Sequence, residues 1–207
     1  HRGKFTNVGT PTVYKKNKIF FKNPKYEIIF LSSSVFNGLN NRQLPVTLWS
    51  DKKKINFELS LIKNVFRKIS YNILYKIYPT NGNLSEPILK KEIMKHKNIK
   101  FIKKNYDANY FFYSKRIIII YSVSSSLGWA LLSNLPVILI NTSEKPIKRE
   151  LEKEFKKSIF FFNNKDKNFY SELYSFLSQP LNKIYSLWEK KNIYRSKLIK
   201  ELMQVSG

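Results

Sequence analysis

Cysteine is absent from the 207 residues, which removes thiolate nucleophiles, cysteine-ligated zinc and iron–sulfur clusters and fits a reducing compartment. Acidic residues are scarce, 14 against 38 Lys and Arg. The only aspartates are Asp51, Asp107 and Asp166, so the Asp-x-Asp pair that holds the cation of metal-dependent sugar transferases does not exist here. Histidine is nearly missing too. His1 and His96 are the two present, and without a Gly-x-Ser-x-Gly elbow no serine is set up for hydrolysis. No metal and no cofactor is therefore expected. The longest apolar candidate, residues 127–140, is broken by Ser133, Asn134 and Pro136, short of the ~18 uninterrupted residues a membrane helix needs.

What is present is a core-forming chain. Hydrophobic residues make up 43% and aromatics 15%, far above the composition of disordered segments. The net charge is +24, which invites a nucleic-acid reading through counterion release. Only six of the basic residues are Arg (2, 42, 67, 116, 149 and 195), and 21 Asn and 23 Ile stand against two Ala. Lys, Asn and Ile are what A/T-only codons write, so base composition accounts for much of this charge. A base-reading surface favours Arg, whose planar fork pairs with guanine and phosphate. The lysines at 52–54, 95–104 and 148–157 are expected on turns and solvent faces.

Along the chain, residues 1–26 are turn-rich, with one short strand candidate at 19–21. An apolar run at 27–31 ends in three serines and reads as a strand buried on both faces. Ile55, Leu59, Ile62, Phe66 and Ile69 recur at helical spacing behind Ser50 and Asp51, either of which can cap the helix. Residues 73–78 form a second strand ended by Pro79 and the Asn81-Gly82 turn signal. A helix over 85–95 buries Leu89, Ile93 and Met94, and a short strand follows at 99–102. Four consecutive isoleucines at 117–120, a loop at 121–126, a helix at 127–133 and a strand at 136–140 make the strongest unit. Two fully apolar strands joined by a helical crossover imply a parallel sheet covered on both faces. A charged helix to 157, a strand at 159–162, a helix over 169–177 and a long, interrupted carboxyl-terminal helix complete the pattern. The fold class is α/β, a doubly wound, mostly parallel sheet with helices on both faces. Residues 1–26 form a leading loop, 27–178 the α/β domain and 179–207 a helical segment. Such sheets bind ligands at the carboxyl ends of their strands, here the loops after Leu31, Tyr78 and Ile120.

The segment Tyr121-Ser122-Val123-Ser124-Ser125-Ser126-Leu127-Gly128 puts hydroxyls and free amides between a buried strand and a helix start. That arrangement can hold a phosphate. A serine there can equally do no more than cap the helix, and no P-loop or dinucleotide glycine spacing decides between the two.

These elements together resemble the carboxyl-terminal half of a bacterial surface-carbohydrate transferase. That half is a Rossmann-type domain laid out as in GT-B glycosyltransferases and the glycerophosphotransferases of capsule and teichoic-acid synthesis. The resemblance is carried by His1 and Gly3, the strand end Lys76-Ile77-Tyr78-Pro79, the Ser124-Ser125-Ser126 loop, the Asn134-Leu135-Pro136 entry to the next strand and the late Trp188. It implies that Lys76 and the serine loop (Ser122, Ser124, Ser125, Ser126 and Leu127) bracket the phosphates of a nucleotide-activated donor, with Tyr78 and Pro79 shaping the pocket. It also implies His1 as a catalytic base facing an acceptor-binding half upstream. The implied partners are the donor and a carbohydrate or lipid-linked acceptor, in the cytoplasm, with peripheral contact to an anionic membrane left open. Trp129 stands where the family has a glutamate, seven residues before the proline, and Glu144 is the conceivable substitute. The rival reading is a non-catalytic basic module that binds nucleic acid or an anionic membrane.

Overall fold

The computed structural model of the chain describes residues 26–33, 49–77, 85–102, 117–121, 123, 125–143 and 147–203. The strand candidate at 19–21 lies outside them. The described elements run β1 (Ile28–Leu31), α1 (Asp51–Asn64), a 3-10 turn (Phe66–Lys68), β2 (Ile73–Lys76), α2 (Ser85–Ile93) and β3 (Ile99–Ile102). Then come β4 (Ile117–Ile120), α3 (Ser125–Leu132), β5 (Val137–Asn141), α4 (Arg149–Ser158), β6 (Phe160–Asn163), α5 (Phe169–Leu177) and α6 (Leu181–Met203).

Among the described residues, the strands form one sheet in the order β3-β2-β1-β4-β5-β6. Every pairing in it is parallel. β1, β2 and β4 are buried throughout, which is why β1 and β4 are continuous apolar runs rather than alternations; β2 ends in a buried lysine, Lys76. From β1 the chain winds outward one way through β2 and β3, and from β4 the other way through β5 and β6. Right-handed crossovers then put the two sets of helices on opposite faces. Accordingly α1 packs with α2 and α5, and α6 packs with α4 and α3. The order of winding reverses between β1 and β4, and it is at the carboxyl ends of strands beside such a reversal that doubly wound sheets bind their ligands.

The structure corrects several local expectations. α1 does not bury the stripe through Ile55 and Leu59, which are half-buried flanks. Its inward face is Lys54, Phe57, Glu58, Leu61 and Ile62, so two charged residues occupy core-facing positions. Lys54, expected in solvent, is fully buried. β2 ends at Lys76 rather than at residue 78. α2 stops at Ile93, which leaves Met94 75% exposed instead of in the core. His96 just beyond it is half-buried against Glu92, its Nε2 3.5 Å from the carboxylate. α3 begins at Ser125, two residues earlier than its apolar spacing indicated. α6 runs unbroken for 23 residues.

One device ties α6 to the strand entry. Asn134 adopts φ 60°, a left-handed conformation that a short polar side chain tolerates at a helix end. Its side-chain oxygen accepts from Arg195 Nη2 at 3.0 Å and its carbonyl from the Trp188 indole at 3.4 Å. Arg195 is itself buried and also donates to the Leu131 carbonyl at the end of α3. Arg195→Ala strips both acceptors of a charged donor and should cost about 2 kcal/mol, read as a lowered urea midpoint at unchanged m. Lys at 195 should recover less than half, since one ammonium does not reproduce the two-pronged reach.

Candidate functional site

The carboxyl ends of β1, β2 and β4 meet a polar cluster centred on Glu58, which α1 lowers into the core. Ser50 caps α1, its Oγ accepting from the Lys53 amide at 3.3 Å. The helix start is held over the sheet by Trp49, whose ring packs on Phe57 at 5.3 Å and whose indole donates to Ser143 Oγ just past β5 at 2.7 Å. Glu58 follows two turns later. Its carboxylate accepts from the Tyr75 hydroxyl on β2, from the Tyr121 hydroxyl at the end of β4, and from Ser32 Oγ beyond β1 at 2.8 Å. The Tyr121 oxygen accepts the Ser33 amide at 3.3 Å and lies 2.9 Å from Ser33 Oγ. The Tyr121 carbonyl accepts from Thr142 Oγ1 after β5 at 3.3 Å. The ends of β1, β2 and β4 are thereby knotted through one acid, and β5 joins them through the Tyr121 carbonyl.

Glu58 is 1% exposed. Burial pushes its carboxyl above the usual carboxylate range, and the bonds from Tyr121, Tyr75 and Ser32 pull partly back. Burial, then the neighbouring Glu58 charge, drives the Tyr75 phenol well above its ordinary value. A carboxylate sealed this way cannot reach a ligand. It links the ends of β1, β2 and β4 beneath the point where the strand order reverses.

Of the expected ligand-facing residues, Lys76, Ser125, Ser126 and Leu127 are among those described. Lys76 ends β2, in register with Leu31 of β1, which on its other side faces Ile120 of β4. Two strand spacings therefore separate Lys76 from the root of the serine segment, about 10 Å. Side chains alternate along β2, so Lys76 emerges opposite Tyr75, on the α3 face of the sheet. It is 3% exposed, and its ammonium donates to the Ile77 carbonyl at 3.1 Å. Ser125 opens α3, Ser126 is half-buried and the Leu127 side chain sits in the core. A ligand can thus meet Leu127 only through its backbone. His1, Tyr78, Pro79, Ser122, Ser124 and the conceivable substitute Glu144 lie outside the described residues. Trp129 is half-buried on α3 and packs against the core.

No protein-family model matches the chain, and no curated protein does. Among solved structures, one titled as the glycotransferase of kitacinnamycin aligns over 91% of this chain and 46% of its own, with a TM-score of 0.40 and 12% identity. The chain thus spans under half the length of that structure. A likeness of this size says nothing about what the chain binds.

The Glu58 knot had a sequence signal. Positions 54, 57, 58, 61, 62 and 65 trace an i, i+3, i+4, i+7 stripe whose apolar members are Phe57, Leu61, Ile62 and Val65. An acid inside such a stripe, opposite tyrosines that stand in or just after apolar strands, marks a buried polar network. Ile55 and Leu59, half-buried on the flank, instead draw the stripe about one residue off.

Proposed function

We propose that the chain is the donor-binding part of a metal-independent transferase that moves a sugar or polyol phosphate from a nucleotide-activated donor in bacterial surface polysaccharide synthesis. The observation that carries this reading is the reversal of strand order between β1 and β4. It brings the tip of β2, with Lys76, and the β4-to-α3 junction to one end and one face of a parallel sheet. Ligands of doubly wound sheets bind there. In this reading the free amides of the first turn of α3 and the hydroxyls of Ser124, Ser125 and Ser126 receive the donor's phosphates. Lys76 leaves the Ile77 carbonyl for the diphosphate as negative charge grows on the leaving nucleotide, the electrostatic term that dominates such transfers. His1 would take the acceptor's proton, and the acceptor, carbohydrate or lipid-linked, would enter from a segment outside this chain. Cytoplasmic placement follows from where activated donors are made.

The test is calorimetric titration of the chain with uridine, cytidine and guanosine diphosphates at moderate salt. Saturable binding that prefers one base is expected. Lys76→Met, which keeps the buried stem, should weaken it by about tenfold to a hundredfold, the loss of one charge-assisted contact. Lys156→Ala on α4 should leave it unchanged. Equal losses from both, or no preference among bases with a steep salt slope, would replace this reading with diffuse charge attraction.

A further inference from the structure

Among the described residues, the longest helix, α6, leaves one face without a protein partner. α6 turns Ile184, Trp188, Arg195 and Leu198 into the protein. On its outward side Lys183, Lys190, Ile193 and Lys197 follow one another at spacings of seven, three and four, and Tyr194 borders them. They form a stripe about 21 Å long at the rise of an α-helix. Ile193 is 66% and Tyr194 48% exposed, a large apolar pair in the middle of a lysine row. None of the three lysines forms an ion pair with any acid whose side chain is described, in contrast to α4, where Lys156 pairs with Glu152 at 2.8 Å and Lys157 with Glu154 at 3.3 Å. Two acids of α6 border the stripe in sequence, Glu189 one turn before Ile193 and Glu201 one turn after Lys197, and the stripe keeps an excess of positive charge beside them. In the open groove along α4, lined by Arg149, Glu152, Lys153, Lys156 and Lys157, two of the cations are thus held by acids of the same helix.

We propose that this stripe of α6 docks the protein on an anionic lipid surface. Lysines suit headgroup phosphates as point charges, and a branched aliphatic with a tyrosine beside it gains by entering the interfacial layer. Against a nucleic-acid backbone Ile193 would gain nothing, and the only arginine on α6, Arg195, is turned inward. The docking does not depend on what the carboxyl end of the sheet binds.

The experiment is sedimentation of the chain with sucrose-loaded vesicles, either pure phosphatidylcholine or phosphatidylcholine mixed with phosphatidylglycerol. The mixed vesicles should carry the protein down and the neutral ones should not, with binding lost as salt rises from about 0.05 to about 0.5 M. Ile193→Ser with Tyr194→Ser should reduce partitioning about tenfold. Lys183→Glu with Lys190→Glu and Lys197→Glu should reduce it at least a hundredfold. All five positions are exposed, and circular dichroism with an unchanged urea midpoint verifies that each variant is folded. The proposal is overturned if mixed vesicles leave the protein in solution, if the serine pair binds them as well as the parent, or if duplex DNA is bound with the same dependence on all five residues. It is also overturned if the face proves to join two copies, seen as a dimer that the serine pair dissociates. Nucleoside diphosphate binding should be equal in parent and variants, which separates failure here from failure of the transferase reading.

Discussion

Replacing Glu58 with Ala should cost about 3 kcal/mol or more, one of the two largest effects of any substitution considered for this chain. The carboxylate accepts from Tyr75, Tyr121 and Ser32, and its removal leaves hydroxyls in the core without their acceptor. Each orphaned buried group costs about 1–3 kcal/mol, and small domains have only about 5–15 in all. Glu58→Gln should cost much less, because an amide accepts at one atom and donates at the other, as the protonated acid does. The two forms differ in pH dependence. Burial raises the Glu58 carboxyl in the folded state, so the folded protein holds that proton more tightly than the unfolded chain does. The stability linked to it is complete below the unfolded value of 4.5 and is lost as pH rises through the folded value. The urea midpoint of the parent minus that of Glu58→Gln should therefore fall with pH above 4.5 and then level off. A flat or rising difference would mean that the acid is held ionised by its hydroxyl donors and that burial is the lesser influence.

The fold was legible because its strongest cue is also its physical cause. Strands buried on both faces must be apolar at every position, so 28–31, 117–120 and 137–140 announce themselves without any alternation to interpret. Edges were harder. β2 ends at Lys76 although Ile77 carries a strand-forming side chain and its amide still donates to the Ile102 carbonyl at 3.2 Å, and α3 starts on serines that periodicity cannot register. The doubly wound strand order was legible too, since strands alternate with helices along the chain. The polar cluster around Glu58 was not. Glu58, Tyr75, Tyr121 and Ser32 come from four segments up to 89 positions apart, and only the shared register of β1, β2 and β4 puts them together. Lys54 shows the same limit, being an ordinary helix lysine in sequence and a buried one in the fold.

Phe30→Ala should match or exceed Glu58→Ala in cost, and the two should not add. Phe30 is on the central strand, with its ring 5.1 Å from Phe66, 4.9 Å from Tyr75 and stacked on Tyr121 at 5.9 Å. Loss of a buried phenyl costs about 3–5 kcal/mol through transfer and cavity terms. Ile118→Val on the opposite face of the neighbouring strand removes one methylene and should cost about 1 kcal/mol. The larger consequence is coupling. Phe30 is the surface against which Tyr75 and Tyr121 rest while their hydroxyls meet Glu58, so its removal frees the rings to leave the acid. Once they have left, deleting Glu58 orphans less. The double variant should then be more stable than the sum of the singles predicts by about 1–2 kcal/mol, within the range seen for residues sharing a network. Strict additivity would show that the ring stack and the hydroxyl knot are independent, and that Glu58 holds the strand tips without help from the core beneath it.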